Sequence, residues 1–398
     1  MDILLIGGLL LFIMLLLLSG GVWIAMTLAI CGWVGQAFFT STQPGKNLFS
    51  AFWESNASWE LAALPLFIWM GEILFRTKLS ENMFKGLAPW VNALPGRLLH
   101  TNILGSTIFA AVSGSSAATC ATIGKMTIPE LTERGYPPER VIGSLGGAST
   151  LGLLIPPSIV MIVYGVAAEV SIAKLFVAGM IPGLMLAGLF SGYLMVWSLL
   201  NPDKIPQADP GMSFTDKLRA SSELIPVVLL IGGVIGSIYV GVATATEAAA
   251  IGVVGSLVLS AYQKSLNWQN FKDALLGATR LYCMMALILA GAAFLTLSMG
   301  YIGLPRHLAE WVGSLGLSPG LLLIALALFF ILLGCFLDGI SMIVLTMGVL
   351  IPTVQAAGID LIWFGIFVVI VVEMAQITPP VGFNLFVLQG MTKREINW

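Results

Sequence analysis

Two proline pairs, Pro156-Pro157 and Pro379-Pro380, stand inside stretches that are otherwise apolar. Proline lacks an N–H, and its ring clashes with the carbonyl one turn back, so each pair must break a helix. The break leaves carbonyls without donors, from Gly152 to Ile155 in the first stretch and from Ala375 to Thr378 in the second. Two further apolar stretches are interrupted, one by Ser113-Gly114-Ser115-Ser116 and one by Asp338-Gly339. Free carbonyls beside the hydroxyls of Ser113, Ser115, Ser116 and Thr119 form a cage of hard oxygens, and Asp338 and Ser341 supply the second cage. Such oxygen sets suit small hard cations. The half-helices that restart at the same breaks present bare N–H groups and partial positive charge, which suit an anion. The competing reading is architectural: Ser and Gly let helices pack closely and Pro-Pro is only a kink.

Asp338 and Glu373 are carboxylates within apolar sequence, and such groups are costly at membrane depth unless they act. Asp338 is the stronger functional candidate, against a role as helix cap. Glu373 either faces a cavity or serves a structural hydrogen bond. Glu247, in Thr244-Ala245-Thr246-Glu247, is expected to cap the start of a helix. His100 and His307 lie at segment ends and do not suggest a proton relay. Cys31, Cys120, Cys283 and Cys335 have no metal-ligand spacing and read as small buried residues. The sequence has no G-x-x-x-x-G-K-[ST] phosphate loop, so energy must come from an ion gradient or from another chain.

These residues need elements to hold them. The chain has 398 residues, 58% hydrophobic and 10% charged, with a net charge of −2. Soluble domains carry about 25% charged residues, and nothing in the charge balance implies nucleic acid. No Asp, Glu, Lys or Arg occurs between Asp2 and Lys46, Arg140 and Glu169, Lys174 and Asp203, or Arg280 and Arg306. Each run exceeds the roughly 20 residues that cross a bilayer as a helix. Membrane lipid is therefore the expected solvent. Helices are expected at 3–18, 21–40, 59–76, 141–166, 173–199, 222–241, 245–263, 279–300 and 361–389. The broken stretches 101–129 and 319–353 read as re-entrant hairpins, and 78–95 and 266–278 as interfacial helices. The apolar N-terminus lacks a basic leader region and reads as a retained span.

Pro156 and Pro379 are 223 residues apart, as are Ile128-Pro129 and Ile351-Pro352, and Ser115 and Asp338. Three landmarks at one offset, in one order, predict an internal repeat. If 141–166 runs outward, only Lys46, Lys174 and Arg306 of the 18 Lys and Arg lie outside. The positive-inside rule then places the N-terminus outside, with the first hairpin opening inward and the second outward. The expected fold is an all-α polytopic membrane protein, an inverted-topology repeat with two re-entrant hairpins and two Pro-broken helices. Its units are N-terminal scaffold helices (1–58), a first repeat (59–172), linking helices (173–278) and a second repeat (279–398).

Leu64-Pro65-Leu66-Phe67, Ser113-Gly114-Ser115-Ser116-Ala117, the 148–165 stretch with Ile-Pro-Pro-Ser, Thr246-Glu247-Ala248-Ala249, Leu337-Asp338-Gly339 and Thr378-Pro379-Pro380-Val381-Gly382-Phe383-Asn384 together resemble the large membrane (M) subunit of tripartite ATP-independent periplasmic (TRAP) transporters. The resemblance covers essentially the whole chain. It implies a bacterial inner-membrane importer of an organic-acid anion, such as a C4-dicarboxylate or sialic acid, coupled to sodium and working as an elevator. It also implies a small membrane (Q) subunit and a periplasmic substrate-binding (P) subunit as partners. By the same resemblance, two or more Na+ ions would lie at the first break with Ser113, Gly152, Ile155 and Pro157, and at the second with Ser341, Thr378 and Pro379. Substrate would lie near Ser115, Ser116, Asp338, Gly339 and Asn384. Members of that family are expected to carry one more hydrophobic helix beyond the point where this sequence stops. A stand-alone carboxylate carrier of a sister family and, further off, a channel are the alternatives.

Overall fold

The computed structural model describes residues 3–77, 79–207, 212–222, 224–334, 337–378 and 382–392. Among them the secondary structure is entirely helical. Four helices are long and apolar enough to cross a membrane singly, and up to seven spans result if each bent pair counts as one. The helix Ile172–Leu200 shows why the surface needs lipid: Ile181, Leu184, Met185, Leu189, Val196 and Leu200 all lie exposed along it. In water that apolar surface would cost about 25 cal/mol per Å².

The expected hairpins are present. His100–Ser113 and Ser116–Glu133 pack against each other as the two arms of the first. Pro319–Gly334 and Gly339–Ala356 form the second. The first Pro-broken helix comprises Pro138–Ser149, Leu151–Leu154 and, after an unwound Ile155–Ser158, Ile159–Ala167. The second ends at Gln376 and resumes at Phe383. Pro379 and Pro380 lie outside the described residues, as does Cys335.

The 223-residue register extends to whole elements. Ser116–Glu133 maps onto Gly339–Ala356 at both ends, and Pro138 maps onto Leu361, where the second broken helix begins. Leu79–Val91 corresponds to Leu304–Ser314. Pro44–Asn56 with Glu60–Phe75, bent by 61° between them, corresponds to the continuous Trp268–Ile302. The separate interfacial helix expected at 266–278 therefore does not exist. Asn267 caps Trp268–Ile302, a helix of 35 residues. At 1.5 Å per residue it is about 52 Å long, so the polar residues near its start stand clear of a 30 Å core without a break in the helix.

Between the halves, Ile172–Leu200, Ile225–Tyr239 and Ala245–Tyr262 complete the bundle. Glu247 caps as expected: its carboxylate accepts from the Thr244 amide at 2.8 Å, and the Thr244 hydroxyl accepts from the Glu247 amide at 3.3 Å. This is a reciprocal capping box. At the other end of the fold, Ile24–Phe39 packs along Trp268–Ile302. A Cβ at Gly291 would stand 2.7 Å from the Ala25 carbonyl, so the two backbones all but touch. Gln36 joins this seam by donating to Ser298 at 3.0 Å. Cys31 and Cys120 are buried as expected, but Cys283 is exposed on its apolar helix, where its small size suits lipid contact as well as packing.

Candidate functional site

The first hairpin turns over at Gly114, whose φ of +59° puts it in the left-handed region that glycine adopts without steric cost. Ser113 ends the inward arm and Ser115 caps the return arm, accepting from the Ala118 amide at 3.5 Å. The Ser113 hydroxyl lies 2.7 Å from that of Thr119 and donates to the Ser115 carbonyl at 3.2 Å. Thr119 donates to the same carbonyl at 2.8 Å. Two hydroxyls and one carbonyl thus converge within one turn. Ser116, 4% exposed, begins the return arm beside them.

The unwound segment of the first broken helix lies directly on this tip. A Cβ on Gly152 would stand 2.7 Å from the Ser115 carbonyl oxygen and 2.9 Å from the Ser116 nitrogen. A Cβ on Gly114 would stand 2.8 Å from the Pro157 carbonyl oxygen, and the Ile159 amide donates to the Gly114 carbonyl at 3.3 Å. Ile155 is extended, and Pro156-Pro157 is a cis peptide. Ser113, Ser115, Gly152 and Pro157 are therefore brought together, backbone against backbone. Ser158, directly after the proline pair, caps Ile159–Ala167 by accepting from the Met161 amide at 3.3 Å.

Two carbonyls expected to be free are taken. The Ser158 hydroxyl donates to the Leu153 carbonyl, and the Thr378 amide donates to the Ala375 carbonyl at 3.3 Å. Ser158, just past the first proline pair, and Thr378, just before the second, thus satisfy what proline cannot. Gly152 faces Pro156 four residues on, which has no N–H to give, so its carbonyl stays available to a cation.

In the second hairpin, Asp338 occupies the position of Ser115 and caps Gly339–Ala356. Its carboxylate accepts from the Ile340 amide at 3.2 Å and from the Ser341 hydroxyl. Ser341 is 1% exposed. Gly339 packs toward the second broken helix and the first: a Cβ there would meet Val372 Cγ1 at 2.7 Å, Gln376 Nε2 at 3.6 Å and Leu153 Cδ1 at 3.8 Å. The tip of the second hairpin thus reaches the break of the first half. Thr378 ends the described part of the second break, its hydroxyl bonded to the Met374 carbonyl. Pro379 lies outside the described residues.

Asn384 lies on the helix that resumes after the second break and packs against the return arm of the first hairpin. Fully buried, it donates to Ser149 of the first broken helix at 3.3 Å, and its carbonyl oxygen has no partner among the described residues. It braces one half against the other and is not bonded to either hairpin tip. Glu373 is 2% exposed, and its carboxylate lies against the Leu154 backbone of the first break. Sequence reasoning passed over Gln376 and the capping role of Ser158. The latter was legible, since Ser after Pro-Pro and before an apolar run is an N-cap signature.

The oxygens at the first break are hydroxyls and carbonyls, the donor set a sodium-sized cation takes. Among the described residues no cluster of three His, Cys, Asp or Glu suits a transition metal. Inverted helical halves that meet at unwound backbone define the class of secondary transporters.

Comparison with known proteins narrows the class. The family model for the "Tripartite ATP-independent periplasmic transporter, DctM component" matches residues 11–397. The chain is 32% identical to the C4-dicarboxylate TRAP transporter large permease protein DctM of Rhodobacter capsulatus, across 100% of this chain and 92% of that protein. It is 33% identical to the ectoine/5-hydroxyectoine TRAP transporter large permease protein UehC of Ruegeria pomeroyi, across 84% of this chain and 78% of that one. The chain belongs to the DctM component family of the TRAP transporters. Its fold is also that of the YdaH transporter of Alcanivorax borkumensis, whose crystal structure is described as revealing an unusual topology. The TM-score is 0.56 at 15% identity, covering 88% of this chain and 80% of that one.

Proposed function

We propose that this chain is the large permease subunit of a sodium-coupled importer of a small organic anion, in the bacterial inner membrane with its N-terminus on the outer side. Substrate reaches it from a periplasmic binding subunit, and a small membrane subunit completes the assembly. The observation that carries the reading is the meeting of the first hairpin tip with the unwound segment of the first broken helix, and of the second tip with Gln376, where the second broken helix ends, and with Leu153. The first tip would hold a sodium ion with Ser113, Gly152, Ile155 and Pro157. The second would hold another with Ser341, Thr378 and Pro379. Ser115, Ser116, Asp338 and Gly339 would face the substrate.

The energetics favour coupling. The hydroxyls and carbonyls at the first tip already bond to one another, so a cation entering there must replace those bonds and fix the tip. The backbone contact between Gly152 and Ser115 transmits that rigidity to the broken helix. With the tip ordered by sodium, a substrate carboxylate meets formed N–H groups and does not bear the cost of ordering them. An elevator movement would carry hairpins and broken helices together, since the same contacts join them into one body. Relatives described as carriers of C4-dicarboxylates and of ectoine support a compact anionic or zwitterionic substrate, and C4-dicarboxylates are our choice.

Uptake of labelled succinate into proteoliposomes holding the full assembly tests this. Uptake should require an inward sodium gradient and fall at least tenfold in Asp338→Asn, a variant that keeps the cap but removes the charge. Sodium-independent uptake, or an unaltered Asp338→Asn variant, overturns the reading.

A further inference from the structure

A cavity of about 980 Å³ opens beside the return arm of the first hairpin. Its inner end is walled by Ala121 and Thr122, and its outer end by Thr132 and Pro138. Along the arm Ser116–Glu133, Ala121 stands about 8 Å from Ser116 and Thr132 about 24 Å. The cavity therefore runs from near the hairpin tip to the face that the basic residues assign to the cytoplasm. Its volume lies within the roughly 300–1,000 Å³ of small-molecule sites.

Among the described residues, one side chain on its wall is charged. Lys125, about 14 Å along the arm from Ser116, is exposed and forms no ion pair among the described residues. The acidic residue closest to it on its own arm, Glu130, is engaged by Arg134 at 2.8 Å. Deeper in, Thr122 is 5% exposed and its hydroxyl has no hydrogen-bond partner. A χ1 rotation would re-aim that oxygen.

The cavity on the outer side is the natural control. At about 550 Å³ it is lined by Pro352, which corresponds to Pro129, and by Arg306 and Glu310. Those two charges neutralise each other at 2.9 Å. Of these two cavities, among the described residues, the inner one carries the uncompensated charge.

We infer that the inner cavity is a second anion subsite, an exit station where Lys125 and Thr122 hold the carboxylate after it leaves the hairpin tips. The inference rests on the proposed transport of an organic anion. Lys125 lowers the energy of the anion midway along its route, and its exposure keeps the hold weak enough for release. A surface ammonium–carboxylate pair is worth at most about 1 kcal/mol, a few-fold in affinity. A station of that strength speeds passage without trapping the substrate.

The test uses the full assembly in sealed vesicles of phosphatidylcholine, with succinate presented at the cytoplasmic face. Counterflow from that face should show a KM raised about two- to fivefold in Lys125→Gln and further in Lys125→Glu, with Lys125→Arg near the parent value. Thr122→Val should raise it about twofold. The sodium concentration for half-maximal uptake from the outer face should stay unchanged in all four. An unaltered cytoplasmic KM in both Lys125→Gln and Lys125→Glu, while the parent protein transports succinate, overturns the subsite and leaves the transport reading standing. A shift seen only in vesicles containing phosphatidylglycerol assigns Lys125 to lipid headgroups and overturns it equally. A parent assembly that moves no succinate overturns both readings.

Discussion

The two halves of the molecule share one register of 223 residues, yet they hold their hairpin tips by different means. In the first half the tip touches backbone: Gly152 lies against the Ser115 carbonyl, and Gly114 against that of Pro157. In the second half the tip touches side chains, with Gly339 against Val372 and Gln376. The cap residues differ accordingly. Ser115 is neutral, whereas Asp338 is a carboxylate that gathers its own hydroxyl, Ser341. The scaffold helix ahead of the hairpin is bent by 61° in one half and continuous in the other. A duplicated fold thus carries one neutral tip locked by its main chain and one charged tip resting on movable side chains. Equal halves would bind two equal ligands; unequal halves can bind cation and anion side by side.

The sharpest way to break this comparison is to add a methyl group to each contact. In Gly152→Ala the new Cβ meets main-chain atoms that cannot rotate away, and overpacking costs about 1–3 kcal/mol. Sodium-coupled uptake should fall tenfold or more at equal membrane abundance. Gly339→Ala meets a valine methyl that can shift, and should lose only two- to fourfold. Equal losses would erase the distinction between the tips.

The hydroxyls sharpen it next. Ser113→Ala removes one oxygen of the neutral cage and should raise the sodium concentration for half-maximal uptake three- to tenfold, about 1 kcal/mol of a hydrogen-bonding group. Ser341→Ala deprives Asp338 of a donor, and its larger effect should be on the substrate KM. Sodium titrations at fixed succinate, and the converse, separate the two.

The cap at the neutral tip comes next in size. Ser115→Ala should cost about 1 kcal/mol in the local stability of the return arm, read as faster amide exchange over residues 116–120. Smallest of all is the control between the halves. Thr244→Ala opens the capping box of Ala245–Tyr262 and should lower the melting temperature by a degree or two with uptake unchanged. A transport defect there would mean the linking helices take a direct part in coupling.

Much of this site was legible before any coordinates. Proline cannot donate, so Pro156-Pro157 announced an unwound segment, and an offset of 223 residues joined Ser115 to Asp338. Glu247 followed a Thr at capping-box spacing and does cap. The fate of individual carbonyls was not legible, because Ser158 and Thr378 satisfy Leu153 and Ala375 through local folding that spacing does not encode. Asn384 belongs to a motif that suggested substrate, yet its partner Ser149 is 235 positions away in the chain and was found only by the packing of one half on the other.

The sequence by itself determined the solvent, the helices and the repeat. Each follows from local quantities: uncharged runs long enough for a bilayer, prolines that forbid helix, and landmarks at a constant offset. Tertiary structure alone decided which groups meet. Gly152 is an ordinary helical glycine until the Ser115 backbone lies where its side chain would be. Glu373 is one more carboxylate until the Leu154 backbone of the first break closes over it. Lys125 is a topological charge until a cavity opens along its face of the hairpin. Contacts between residues tens or hundreds of positions apart depend on how whole helices pack, and packing is fixed by the shape of every element at once.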